Sequence, residues 1–265
     1  MITKILPIIK EAGSIIREGF GSNLSIEFKN NESNLVTNID KASEEILNNF
    51  IKKEFPNHSI LCEESGKYEK SSEFIWVIDP LDGTTNFAHG LPIFSISVGL
   101  QKNNEIILGI VYDIIRNEMF TAELGSGSFK NDKRIYVSKN DNIMRSLLVT
   151  GFPYDIQENN EEALQIFGAF LKNSRAIRRL GSAAIDFCYV AAGVFDGFWE
   201  TKLHPWDVCA GMLLVEEAGG KVTNFMDKKI DIYSNQFLAT NRQIHNKMIN
   251  VINFKNLKNN VESKN

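Results

Sequence analysis

Two aspartates three residues apart, Asp79 and Asp82, stand where an apolar run ends. That run, Ile75, Trp76, Val77 and Ile78, has the β-branched and aromatic bias of a buried strand, and Pro80 follows the first acid. Gly83 relaxes the backbone, and Thr84, Thr85 and Asn86 bring hydroxyl and amide groups able to cap a short helix. Carboxylate oxygens suit a hard cation such as Mg²⁺, while a helix start offers N–H groups and a positive dipole end to an anion. Metal and phosphate can therefore share this turn. Asp-Pro and Asp-Gly are also ordinary turn dipeptides. The ordered string Asp, Asp, Gly, Thr, Thr, Asn directly after a strand is more than a turn requires.

Other acids lie where they could join such a site. Glu63 and Glu64 follow a short strand expected over residues 59–62, and because adjacent strand residues point to opposite sides, Glu63 is the one expected to face it. Asp40 falls in the first turn of a helix capped by Thr37 or Asn38, where an acid also complements the dipole. Asp207 begins a long apolar helix in HPWDVCAGMLLVEEAGG, its approach fixed by Pro205 and Trp206. It can be read as a simple N-cap, or as the further carboxylate that a divalent pair would need. His58, His89, His204 and His245 are isolated, without metal-ligand spacing.

The elements needed to position these groups are legible in outline. Ile5, Leu6, Ile8, Ile9, Ala12, Ile15, Ile16 and Phe20 recur at helical spacing, and a second helix carries Ile39, Ala42, Ile46, Leu47, Phe50 and Ile51 inward. Between them residues 22–34, with Lys29, read as an exposed loop or irregular hairpin. Residues up to 72 after the paired glutamates read as a surface loop. Residues 94–101 and 105–113 flank Asn103 and Asn104 as a hairpin, and 118–122 continue the meander. From there helices and strands alternate: strands over 146–151, 195–200, at Val222 and over 237–240, and helices over 161–171, 182–192, 207–218 and 242–252. The expected division is an N-terminal α+β half (1–140) carrying the main motif, a C-terminal α/β half (141–255) and a polar tail (256–265), the halves forming one catalytic unit around a shared cleft. Lys172, Arg175, Arg178 and Arg179 read as a basic helix end, or as a site for a second phosphate or acidic partner.

At 265 residues, 43% hydrophobic and 10% aromatic, the chain has material for a substantial core. A net charge of −4 and a pI near 5.7 disfavour nucleic acid or an anionic membrane as the main partner. Cys62, Cys188 and Cys209 form no spaced pair, as expected of reduced core thiols in the cytoplasm. No apolar run approaches the ~18 residues of a membrane span.

Four segments resemble the inositol monophosphatase family of Mg²⁺-dependent, lithium-sensitive phosphatases, in its bacterial form: LCEESG (61–66), WVIDPLDGTTNF (76–87), RRLGSAA (178–184), and PWDVCAG with VEEAGG (205–220). Their order and separations fit along nearly the whole chain, and the central string is the specific one. The resemblance implies an α/β (α+β) layered α/β/α/β/α sandwich of the sugar phosphatase type, a homodimer, and hydrolysis of a small phosphorylated sugar or polyol with two or three Mg²⁺ ions, inhibited by Li⁺. It implies that Asp79, Asp82 and Asp207 hold one ion beside the leaving group, and that Glu63, Asp79 and the Leu81 carbonyl hold another beside the attacking water. Thr84 and Glu63 would orient and deprotonate that water, with Asp40 accepting from the Thr84 hydroxyl, in an in-line displacement without a phosphoenzyme. Gly83, Thr84 and Thr85 would bind phosphate oxygens. Gly181, Ser182, Ala183 and Glu200, with Asp82 and Asp207, would hold the substrate, and Lys29 resembles the lysine near a third metal.

Two departures qualify the resemblance. Many members carry glycine before the paired glutamates, whereas Cys62 forbids a glycine-only backbone there. Relatives acting on nucleotide 3′-phosphates commonly carry lysine after the first threonine, and this chain has Thr85. Inositol monophosphate is the leading expected substrate, with fructose 1,6-bisphosphate and histidinol phosphate open. Some bacterial relatives also associate with transcription machinery, so a binding module is the alternative, although intact Glu63, Asp79, Asp82, Thr84 and Asp207 argue for a working enzyme.

Overall fold

A computed structural model describes residues 1–22, 26–28, 35–153, 155–158 and 161–253; Lys29 and the polar tail lie outside them. The chain opens with α1 (Ile2–Gly19), the short antiparallel pair β1 (Ile26–Phe28) and β2 (Leu35–Thr37), and α2 (Asn38–Glu54). Next come β3 (Ser59–Cys62), β4 (Gly66–Tyr68), β5 (Phe74–Asp82) and the short α3 (Thr84–Ala88). A meander follows: β6 (Ser95–Lys102), β7 (Glu105–Asp113), β8 (Glu118–Glu123), β9 (Gly127–Lys130) and β10 (Lys133–Arg134). The remainder is β11 (Leu147–Thr150), α4 (Glu161–Asn173), β12 (Ala176–Arg178), α5 (Ala183–Ala191), β13 (Gly197–Thr201), α6 (Pro205–Glu217), β14 (Lys221–Thr223), β15 (Gln236–Thr240) and α7 (His245–Ile252).

These elements stack in five layers. The larger sheet has the order β10-β9-β8-β7-β6-β5-β3-β4 and is antiparallel except where β3 runs parallel to β5. The smaller has the order β12-β11-β13-β15-β14, with β11 parallel to β12 and β13 and the other pairs antiparallel. Alternation along each strand decides the packing. Trp76 and Ile78 face a core built with Ile5, Ile9 and Ile16 of α1 and Leu47 and Ile51 of α2, whereas Val77 between them faces α5 and α6. On the smaller sheet Val149, Phe198 and Ala239 join that middle layer, while their neighbours Leu148, Trp199 and Leu238 pack on Phe170 of α4 and Met248 of α7. The result is the expected α/β/α/β/α sandwich.

Several local expectations change in detail. Residues 66–68 form the edge strand β4 rather than loop, and residues 176–178 form a strand beside β11. Asn103 and Asn104 do turn the β6–β7 hairpin, both with positive φ (51° and 65°), a conformation that asparagine tolerates. α6 starts at Pro205, whose fixed φ suits a first helical position, so Asp207 is a third-position residue and not the N-cap. Lys172 alone of the basic cluster lies in a helix's last turn; Arg178 belongs to β12, and Arg179 enters a cavity.

Candidate active site

Helix α2 braces the acidic turns from behind. Thr37 caps it, donating from its N–H to Asp40 Oδ2 (2.9 Å) and accepting from the Ile39 and Asp40 N–H groups. One turn on, Ser43 donates to the Pro80 carbonyl (2.9 Å), and Glu44 Oε2 accepts from the N–H of Glu64 (3.1 Å) and Ser65 (3.4 Å). Residues 40, 43 and 44 recur at helical spacing on one face, so a single helix fixes the turn after β3, the turn inside β5 and the start of α3. Cys62 sits in ordinary strand backbone with its thiol donating to Asn48 Oδ1, so no glycine-only conformation is needed there.

At the end of β5 the sheet register shifts between Asp79 and Asp82. Asp79 accepts from the Leu81 N–H (2.9 Å), and Asp82 accepts from Ser182 and from the Ala184 N–H (2.9 Å) at the start of α5. Asp207 accepts from the His204 N–H (2.7 Å) at the start of α6. Carboxylate oxygens of Asp79, Asp82 and Asp207 lie within 4.8 Å of one another. Glu63 stands on the wall of the same cavity, outside this trio. An all-oxygen donor set of this density fits a hard divalent cation.

Crowding shows in the protonation. Burial, followed by the charges of Glu63, Asp82 and Asp207, pushes the Asp79 carboxyl well above the usual range, and burial with Glu63 and Asp82 does the same to Asp207. Asp82 is raised to about 6 by burial, with Ser182 and the Ala184 N–H opposing the shift. Such acids cannot all ionise side by side without positive charge among them.

Gly83 links Asp82 to α3 with φ +93°, and an added Cβ would lie 3.0 Å from the Ile93 carbonyl oxygen. Only glycine takes this conformation without strain. Thr84 Oγ1 lies 3.0 Å from Asp40 Oδ1 and 2.9 Å from the Leu81 carbonyl oxygen. Asp40 itself is fully buried behind Thr84 and off the cavity wall, so any part it plays is through Thr84.

The cavity holds about 630 Å³, and its walls include Gly83, Thr84, Thr85, Gly181, Ser182 and Ala183. Glu200, Arg179 and Asp186 line it as well. Glu200 is 8% exposed, and burial raises its carboxyl to about 8 against the opposing pull of Arg179. Gly151 makes room for it: a Cβ there would fall 2.2 Å from Glu200 Oε1. His204 also borders the cavity, stacked on Trp206, whereas His245 is buried among Thr223, Thr240 and Asp227.

The sequence reading passed over Glu44, Gly151 and Asp186, and placed Arg179 in a basic cluster rather than on this cavity wall. For Asp186 a signal existed: it falls four residues after Ser182, hence on the same helical face, and interrupts an otherwise apolar run.

The profile of the Inositol monophosphatase family matches residues 2–256, and the chain belongs to that family. It is 40% identical over 254 residues to the Nus factor SuhB of Pasteurella multocida, covering 95% of each chain. It is 40% identical over 238 residues to the inositol-1-monophosphatase of Synechocystis sp., covering 89% of this chain and 83% of that one. The crystal structure of extragenic suppressor protein suhB from Bartonella henselae superposes with a TM-score of 0.91 at 35% identity, over 95% of this chain and 97% of the other.

Proposed function

We propose that this chain is a Mg²⁺-dependent phosphomonoesterase whose substrate is inositol monophosphate, hydrolysed to inositol and phosphate. The observation that carries this reading is the convergence of Asp79, Asp82 and Asp207 within 4.8 Å beside Thr84. Glu63, Asp79, Asp82, Asp207 and the Leu81 carbonyl would hold the ions. Bound Mg²⁺ supplies charge neutralisation at the phosphoryl group and acidification of water. Thr84 donates its one hydroxyl hydrogen to Asp40, which leaves its oxygen lone pairs to accept from the attacking water. Glu63 takes the proton from that water. The first N–H groups of α3, with no intrahelical acceptor, face the phosphate, and Gly83 keeps the approach clear. Glu200, Gly181, Ser182 and Ala183 hold the alcohol.

Among the described residues no helix is long and apolar enough to cross a membrane; a cytoplasmic homodimer, inhibited by Li⁺, belongs to this proposal. The test is phosphate release with and without Mg²⁺ from inositol 1-phosphate, fructose 1,6-bisphosphate, histidinol phosphate and adenosine 3′,5′-bisphosphate, with Asp79→Asn as control. Release that needs Mg²⁺, is lost in the control and is fastest on inositol 1-phosphate supports the reading. Equal rates for wild type and control on all four reject it. A second role beside transcription machinery is favoured by the name of the 40% identical Pasteurella protein; affinity capture of RNA polymerase with an active-site variant as bait would detect it.

A further inference from the structure

Asp186 is buried where burial has no local justification. It lies in α5 among Ala184, Ile185, Phe187, Cys188, Val190 and Ala191, all apolar and all buried. An acid near a helix start complements the dipole equally well from a solvated position, so the dipole does not explain an exposure of 1%. Its Oδ1 finds no hydrogen-bond partner among the described residues. Buried polar atoms are almost always satisfied, and the exceptions call for a reason.

A ligand's polar group is one such reason. Asp186 lines the cavity together with Glu200 and Arg179, one helical turn beyond the Ser182 that donates to Asp82. Burial, then the charges of Glu200 and Asp82, holds its carboxyl well above the usual range, with Arg179 opposing. A neutral carboxyl there both donates and accepts, and an ionised one still accepts. Two neighbouring carboxyls, one wall kept bare by Gly151, and one guanidinium make a surface suited to hydroxyls.

We propose that Asp186 binds the alcohol portion of the substrate, so that it and Glu200 together take up two hydroxyls of a polyol or sugar phosphate. The inference rests on the phosphomonoesterase reading above. Its consequence is selectivity: an alcohol without hydroxyls leaves both buried carboxyls unpaired, and a site built to hydrogen-bond a hydroxyl discriminates strongly against its absence.

The experiment compares inositol 1-phosphate with phenyl phosphate in wild type, Asp186→Asn and Asp186→Ala, each shown by circular dichroism to be folded. In Asp186→Ala, kcat/KM for inositol 1-phosphate should fall about tenfold to a hundredfold, the loss expected of a hydrogen bond to a charged or buried group. For phenyl phosphate it should fall less than about threefold, because that alcohol has no hydroxyl for Asp186 to hold. Asp186→Asn keeps the shape and one acceptor, so its loss should be smaller but on the same substrate; it carries the comparison if the alanine variant does not fold. Equal losses on both substrates, or none on inositol 1-phosphate, overturn the inference while leaving the phosphatase reading intact. If wild type releases phosphate from neither substrate, the phosphatase reading fails. Calorimetric binding of inositol 1-phosphate in the presence of Mg²⁺ then decides this inference: affinity unchanged by Asp186→Ala overturns it.

Discussion

The Thr84 hydroxyl lies 3.0 Å from Asp40 Oδ1, tying the start of α3 to the start of α2. Thr84 has one hydrogen and two acceptors in reach, Asp40 and the Leu81 carbonyl. Donation to Asp40 leaves the Thr84 oxygen free to accept from water. Thr84→Val keeps the shape and removes the hydroxyl, so kcat should fall about 10²–10⁴-fold, whereas Thr84→Ser should retain most activity. Steady-state kinetics at saturating substrate decide it; a Thr84→Val enzyme with wild-type kcat would remove Thr84 from the mechanism.

Asp79 presents a trade between stability and binding. Its carboxyl is desolvated and faces Glu63, Asp82 and Asp207. In metal-free protein at pH 7.5, Asp79→Asn should therefore raise Tm, because it removes one member of a mutually repelling group. Added Mg²⁺ should raise the Tm of wild type, since a ligand bound only by the folded state stabilises it by mass action, and should leave the variant nearly unmoved. Thermal melts with EDTA or millimolar Mg²⁺ provide the readout, and a variant that still responds fully to Mg²⁺ would count against Asp79 as a ligand.

Glu200 makes stability depend on pH. Burial raises its folded carboxyl from an ordinary 4.5 to about 8, so the folded state holds a proton that the unfolded chain releases. The associated stability is fully present below 4.5 and is lost as pH rises through about 8, a difference of a few kcal/mol by order of magnitude. Glu200→Gln, permanently neutral, should melt near wild type at pH 4.5 and above it at pH 8.5. Identical differences at the two pH values would show that Glu200 titrates normally.

Gly151 should matter through Glu200. An added methyl would fall 2.2 Å from Oε1 and 2.3 Å from Oε2, so Glu200 must swing away. Gly151→Ala should raise KM for inositol 1-phosphate several-fold while changing phenyl phosphate little if, as proposed, the displaced Glu200 carboxyl serves hydroxyl binding and not phosphate. Parallel KM determinations on the two substrates separate this from general destabilisation.

Much of this was legible before any coordinates. The run from Trp76 to Phe87 announced a strand, an acidic turn and a helix start, because apolar periodicity, proline, glycine and capping hydroxyls act over a few residues. A helix capped by Thr37 or Asn38, with Asp40 in its first turn, was legible for the same reason, the structure choosing Thr37 and closing a capping box with Asp40, and Asn103 with Asn104 announced a hairpin. The family resemblance then named the acids to watch.

Tertiary structure alone decided the rest. Asp207 reaches Asp79 and Asp82 only because β5 and α6 pack across the larger sheet's inner face, a contact with no local signature in either segment. Arg179, read as part of a basic helix end, lines the cavity, and Asp186, which the sequence reading passed over, is a buried acid on its wall whose Oδ1 has no partner among the described residues. Sequence fixes which side chains exist and what each short segment prefers. Which of them share a desolvated space, and are therefore shifted, paired or left wanting a ligand, is set by burial between layers distant in the chain.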